Sequence, residues 1–303
     1  MALFKPQARD SGLSVFSPRH AQLFRRLAAQ VFAEQGQAAT VQTNHVRTND
    51  GRVFGLENIA AICAAREPIK WMDLLEAHVL AVLNPVSVDA LSQEEFERCL
   101  RARLTSRDTL PDDGDFDYVR EMAPGLVAAL AVDLPETIAT LPERDLVRRG
   151  ELKELWSLGL GNLLAIPPED LSASTSSEEG PGRVTHVVGP EFFTASLALR
   201  LPAIVALASS EADRGHGIFV SVPTRARLMY RVVDGPDSVG SFMQIFQIAL
   251  AAYDNEPGAL SPHVYWVRDG VWTQATGFVD GRPSITARDQ LQAEFLAAGW
   301  SSA

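Results

Sequence analysis

The chain has 303 residues, 46% of them hydrophobic and 21% charged, with a formal net charge of −11. This is the balance of a globular chain long enough to bury one large core or two ordinary ones. It excludes a nucleic-acid reader working through a basic face, since an acidic surface repels phosphate, and no apolar run reaches the ~20 residues of a membrane span.

Residues 1–16 show no periodicity and read as a flexible arm, without the apolar core of a signal peptide. The expected compartment is therefore the cytoplasm. Ser17-Pro18 reads as an N-cap and first helical position, opening a helix to about residue 35 that buries Leu23, Leu27, Val31 and Phe32. Residues 38–48 read as a strand. Asn49-Asp50-Gly51 signals a hairpin turn, and residues 53–56 are its return strand. Helices follow over 57–65 and 70–83. Ser92 and Glu95 have the spacing of a capping box, opening a helix expected to end near Arg103.

Residues 111–117 form an acidic loop, and we place a domain boundary beside it, near residue 110. Residues 17–110 are then a helical subdomain with a β-hairpin, and 111–303 an α+β subdomain. Short strands are expected over 126–132 and 136–141, then a helix from 142 to about 164. Residues 172–182, rich in Ser and Gly, read as a mobile loop. After it come a strand (184–188), a helix (191–207) bent at Pro202, a hairpin (216–222 with 227–233), a helix (237–253), a second hairpin (264–268 with 271–278) and a terminal helix (287–298). Strands joined by tight turns give antiparallel sheets with helices packed on them, hence the α+β class.

The words "VAALAVDLPETIATLPERDL", "LGNLLAIP", "VTHVVGPEFFTASLAL", "HGIFVSVPTRARLMYRVVD" and "SPHVYWVRDGVWTQATGF" follow one another in the C-terminal two thirds. This succession resembles the YtpQ-like family of uncharacterised bacterial proteins. The earlier "VRTNDGRVFGLENI" is compatible with it. The resemblance spans about residues 20–280 in order and patterning. It implies a bacterial, cytoplasmic protein and supplies no catalytic residues. The acidic loop and the Ser-rich stretch depart from it.

Asp113, Asp115 and Asp117 alternate along the acidic loop, and carboxylates so spaced can converge on a hard divalent cation. Tyr118 stands where a calcium loop needs glycine, and a solvated loop is the simpler expectation. His186, His216 and His263 lie on or beside predicted strands and could meet in space. No GxSxG surrounds Ser196, and Gly159-Leu160-Gly161 sits at a helix end, where no phosphate cradle forms. Tyr265, Trp266 and Trp272 fall across the last hairpin, as a cross-strand aromatic group or as a surface for a partner. Cys63 and Cys99 are expected to be two small buried side chains. No cofactor is expected; a divalent metal belongs only to the rival reading.

The expectation is a non-enzymatic binding or adaptor protein working through protein contacts. Its alternatives are an acidic inhibitor or immunity-type protein for a basic partner, and a metal-dependent hydrolase built on the Asp113 loop.

Overall fold

A computed structural model describes residues 9–13, 15–49, 53–64, 66–83, 88–112, 114–134, 137–165, 171–176, 182–189, 192–208 and 216–298. The fold is α+β with antiparallel sheets. Its contacts divide it into two units. The smaller is Met1–Ala90 with Leu134–Thr137 and Asn255–Pro257; the larger holds the remainder. The boundary thus lies near residue 90, not 110.

In the smaller unit, α1 (Pro18–Glu34) opens on Ser17, whose Oγ accepts from the His20 N–H, and closes at Gly36 with φ 72°. Ala21, Phe24, Ala28, Val31 and Phe32 are its buried residues. Leu23 and Leu27 are only partly buried, so the apolar stripe is turned from the expected one onto Phe24 and Ala28. The expected single strand at 38–48 is two, β1 (Ala39–Val41) and β2 (His45–Thr48), folded on each other, with β3 (Val53–Gly55) on the far side of β2. Asp50 and Gly51 of the expected turn lie outside the described residues. Helices α2 (Glu57–Ala64) and α3 (Trp71–Leu83) complete the layer. Trp71 is buried, its indole N–H donating to the Cys63 carbonyl at 2.6 Å, with the Phe16 and Phe24 rings around it.

The described part of the expected arm, residues 9–13, 15 and 16, is docked, not loose, and the remainder of the arm lies outside the described residues. Leu13 and Phe16 are buried in this core, and Asp10 accepts two hydrogen bonds from Arg25. Buried Cys63 has its thiol pushed up to about 12 by desolvation, which makes it inert at neutral pH.

The larger unit starts with α4 (Gln93–Cys99), where the expected capping box of Ser92 and Glu95 forms. The helix stops at Cys99 because β4 (Leu100–Ser106) begins at once. Leu100, Ala102 and Leu104 are buried while Arg101 and Arg103 are half-buried, a two-residue period that a helix cannot satisfy. β5 (Arg120–Ala123) and β6 (Leu126–Leu134) follow, and β6 is the centre of the sheet β4-β6-β5, with β7 (Thr137–Thr140) also pairing to β6. The expected helix over 142–164 is α5 (Glu143–Leu146) and α6 (Leu152–Leu164), separated by a turn through Gly150. α6 lies on β4, and Gly159 permits this: a Cβ there would stand 3.0 Å from the Ala102 amide nitrogen and 2.9 Å from Leu130 Cδ2.

The second sheet runs β13-β12-β10-β11-β9-β8. Its strands are β8 (Ser172–Thr175), β9 (Thr185–Val188), β10 (Ile218–Ser221), β11 (Leu228–Val232), β12 (Val264–Arg268) and β13 (Val271–Gln274). The first half of the expected mobile loop is therefore an edge strand. Ser, Ala and Thr hide this, because β8 is held by backbone pairing to β9 and buries no side chain. Residues 195–200 are 3-10 helix, and α7 (Leu201–Ala208) carries Pro202 in its first turn, where proline needs no N–H partner. α8 (Ser238–Asn255) packs Phe242, Ile245, Phe246 and Ala249 with Phe219, Met229, Val264 and Trp266 of the sheet. The turn at Asp269-Gly270 has both residues at positive φ, as its sequence predicts. β14 (Thr276–Val279), β15 (Arg282–Ile285) and α9 (Arg288–Ala297) end the chain's described part.

Candidate functional site

The acidic loop joins a 3-10 turn after β4 to the start of β5. Arg107 opens that turn, and its backbone N–H donates to the Gly125 carbonyl at 2.9 Å, tying the end of β4 to the β5–β6 turn. Phe116 folds inward and is 7% exposed. Beside it lies a cleft of about 270 Å³ lined by Arg107, Phe116, Asp117, Val119, Glu121, Gly125 and Val127. Its wall is therefore part apolar, with one guanidinium and two carboxylates.

Sheet register sets the spacing of these groups. Glu121 of β5 stands opposite Val127 of β6, and Val127 stands opposite Thr105 of β4. Arg107 lies two residues past Thr105. Glu121 and Arg107 thus flank the Val127 strand from opposite sides. The irregularity between Glu121 and Ala123 bends β5 at this point. Asp117 and Glu121 are exposed, and among the described residues neither carboxylate has an ion-pair or hydrogen-bond partner. Arg107 Nη2 reaches Asp112 at 3.5 Å, a long contact to a fully exposed carboxylate. Its Nη1 is buried and meets no acceptor among the described residues.

The carboxylates expected to share a cation are placed as follows. Asp113 lies outside the described residues. Asp115 is ion-paired with Arg144, and its backbone carbonyl accepts from the Glu143 N–H at 2.7 Å. Asp117 lines the cleft. The two described carboxylates thus face different neighbours, and among the described residues no three His, Cys, Asp or Glu side chains are grouped to hold a metal.

The three histidines do not meet. β10 and β12 are antiparallel, with Ile218 opposite Val267 and Ser221 opposite Val264. His216 precedes β10 and His263 precedes β12, so they stand at opposite ends of the pair. His186 is on β9, two strands from β10. His216 Nδ1 lies 3.0 Å from Glu294 Oε1, and this hydrogen bond, with Arg268, holds the Glu294 carboxyl below its usual range. Burial pushes His186 and His263 down.

The aromatic group is core. Tyr265 is 0% exposed and Trp266 is 9% exposed. The Tyr265 hydroxyl is 2.6 Å from Ser261 Oγ, and burial pushes it up to about 12. The Trp266 indole N–H donates to the His216 carbonyl at 2.8 Å. Trp272 is half-buried with its ring 5.4 Å from that of Tyr265. The partner surface expected at Tyr265, Trp266 and Trp272 is thus a cross-strand packing group. The physical reason is position: β12 lies between β10 and β13, and Val264, Tyr265, Trp266 and Val267 are buried in succession, so both faces are covered. Ser196 is structural too, its Oγ accepting the buried Leu104 N–H at 3.0 Å.

Sequence reasoning missed Arg107. Its signal is an arginine directly after an alternating strand and before an aspartate-rich turn, and the first half of that strand reads as the end of a helix. No family model matches the chain, and no curated protein or solved structure matches it either. Among the described residues, no helix is long and apolar enough to cross a membrane.

Proposed function

We propose that this chain is a non-enzymatic binding or adaptor protein of the bacterial cytoplasm, acting through contacts with a basic protein partner. The YtpQ-like resemblance supports the setting. The observation that carries the reading is the face around the acidic loop. There Asp117 and Glu121 stand exposed without partners among the described residues, the Asp112 side chain is fully exposed, and half-buried Val119 lines the same cleft with buried Phe116 and Val127. Exposed carboxylates of one sign beside a partly apolar cleft suit a partner of the opposite charge. The net charge of −11 favours a basic partner and disfavours nucleic acid. Complementary charge at the rim would mainly speed association.

The test is capture from the native lysate with the parent chain and with the double substitution Asp117→Lys and Glu121→Lys. The expected result is one stoichiometric basic protein, released by salt and absent from the double variant. Recovery of the bait alone, or of the same partner by both baits, overturns the reading.

A further inference from the structure

We propose that the cleft beside the acidic loop binds a small zwitterion, an α-amino acid or a molecule with the same ammonium-to-carboxylate spacing. The inference concerns the same cleft as the protein partner proposed above but does not rest on it, since small-molecule binding by the purified chain is read without any partner.

The lining selects for both signs of charge. A simple cation entering the cleft would meet Arg107, and a simple anion would meet Asp117 and Glu121. A dipolar ligand satisfies all three. Arg107 has donor capacity to give: among the described residues Nη2 makes only the long 3.5 Å contact to Asp112, and Nη1, shielded from solvent, has no acceptor. A buried unsatisfied donor is unfavourable, and a carboxylate is the acceptor a guanidinium fork fits best. Asp117 and Glu121 offer the acceptors an ammonium needs.

Glu121 and the end of β4 lie on either side of β6, their backbones about two strand spacings apart, so a small ligand in the cleft has a carboxylate on one side and the Arg107 guanidinium on the other. The ligand's side chain would then lie along Phe116, Val119 and Val127. The volume of about 270 Å³ falls just under the roughly 300–1,000 Å³ of sites for drug-sized molecules, so the ligand is small.

The experiment is calorimetric titration of the full chain with each standard L-amino acid in turn, then with the N-acetyl and carboxamide forms of any that binds. The expected result is saturable binding of at least one amino acid with an apolar side chain. Its N-acetyl and carboxamide forms should each bind at least about tenfold more weakly, a loss of ~1.4 kcal/mol. Arg107→Gln and Glu121→Gln should each weaken binding by a similar factor. Arg107→Lys, which keeps the charge but loses the fork, should lie between. Glu121 is exposed, so Glu121→Gln keeps the test decisive if Arg107→Gln fails to fold. Absence of saturable binding by every amino acid overturns the proposal. So does equal binding of the blocked forms, or unchanged affinity in folded Glu121→Gln.

Discussion

Gly159 sets the distance between α6 and β4, because the space a Cβ would fill is already taken by the backbone of Arg101 and Ala102. Gly159→Ala should therefore destabilise the larger unit by about 1–3 kcal/mol, despite the ~1 kcal/mol that alanine gains in helix propensity. Urea unfolding measures it, and a more stable variant would refute the close-approach argument. Asp10 shows a different kind of dependence. The hydrogen bond from Arg25 holds its carboxyl at about 2, against 3.8 for the free group. A lowered folded-state value stabilises above the unfolded one, so this contribution is complete above pH 3.8 and is lost as pH falls towards 2. Asp10→Asn should cost up to about 2 kcal/mol at neutral pH, and the gap to the parent should close in acid. Unfolding curves at both ends of that range check it. Neither residue's partner was legible beforehand. A glycine inside a helix says that something comes close, without saying what. Asp10 and Arg25 are ion-paired only because Leu13 and Phe16 dock, and two isolated apolar residues carry no period.

Among elements, β4 is the most instructive. It is an edge of its sheet, and its Leu104 N–H points away from β6 to be met by Ser196 Oγ. The 3-10 segment therefore covers an edge that would otherwise offer unpaired backbone groups. Ser196→Ala leaves a buried donor without its acceptor and should cost about 1–3 kcal/mol. Thermal unfolding reads this, and a neutral result would mean that water or a shifted neighbour replaces the hydroxyl. Where a periodic pattern ran alone, the sequence was readable: α1, α3 and α8 were all expected within a few residues of where they lie. Where a short helix ran straight into a strand, as α4 into β4, the two periods overlapped and one element was lost. The candidate cleft went with it, because Arg107 is placed by the end of β4. β8 was lost for the opposite reason: a strand that buries nothing leaves no hydrophobic pattern to read.

For the whole molecule, the α+β class was legible, because hairpin turns such as Asp269-Gly270 declare antiparallel pairing locally. The division into units was not. It depends on β4 pairing with β6, and nothing in the acidic composition of 111–117 marks which side of it a strand belongs to. The cleft also needs the first sheet of the larger unit assembled, since its lining comes from β5, β6, the loop and the turn after β4. That is why four aspartates in a row of seven suggested a cation when the fold brings an arginine among them.

The burial of Trp71 has an optical consequence. Of the five tryptophans, it is the single one in the first ninety residues. It is 2% exposed, with its N–H hydrogen-bonded within the same unit. The smaller unit therefore carries one built-in fluorophore in a dry setting, whose emission moves to longer wavelength when that unit alone opens to water.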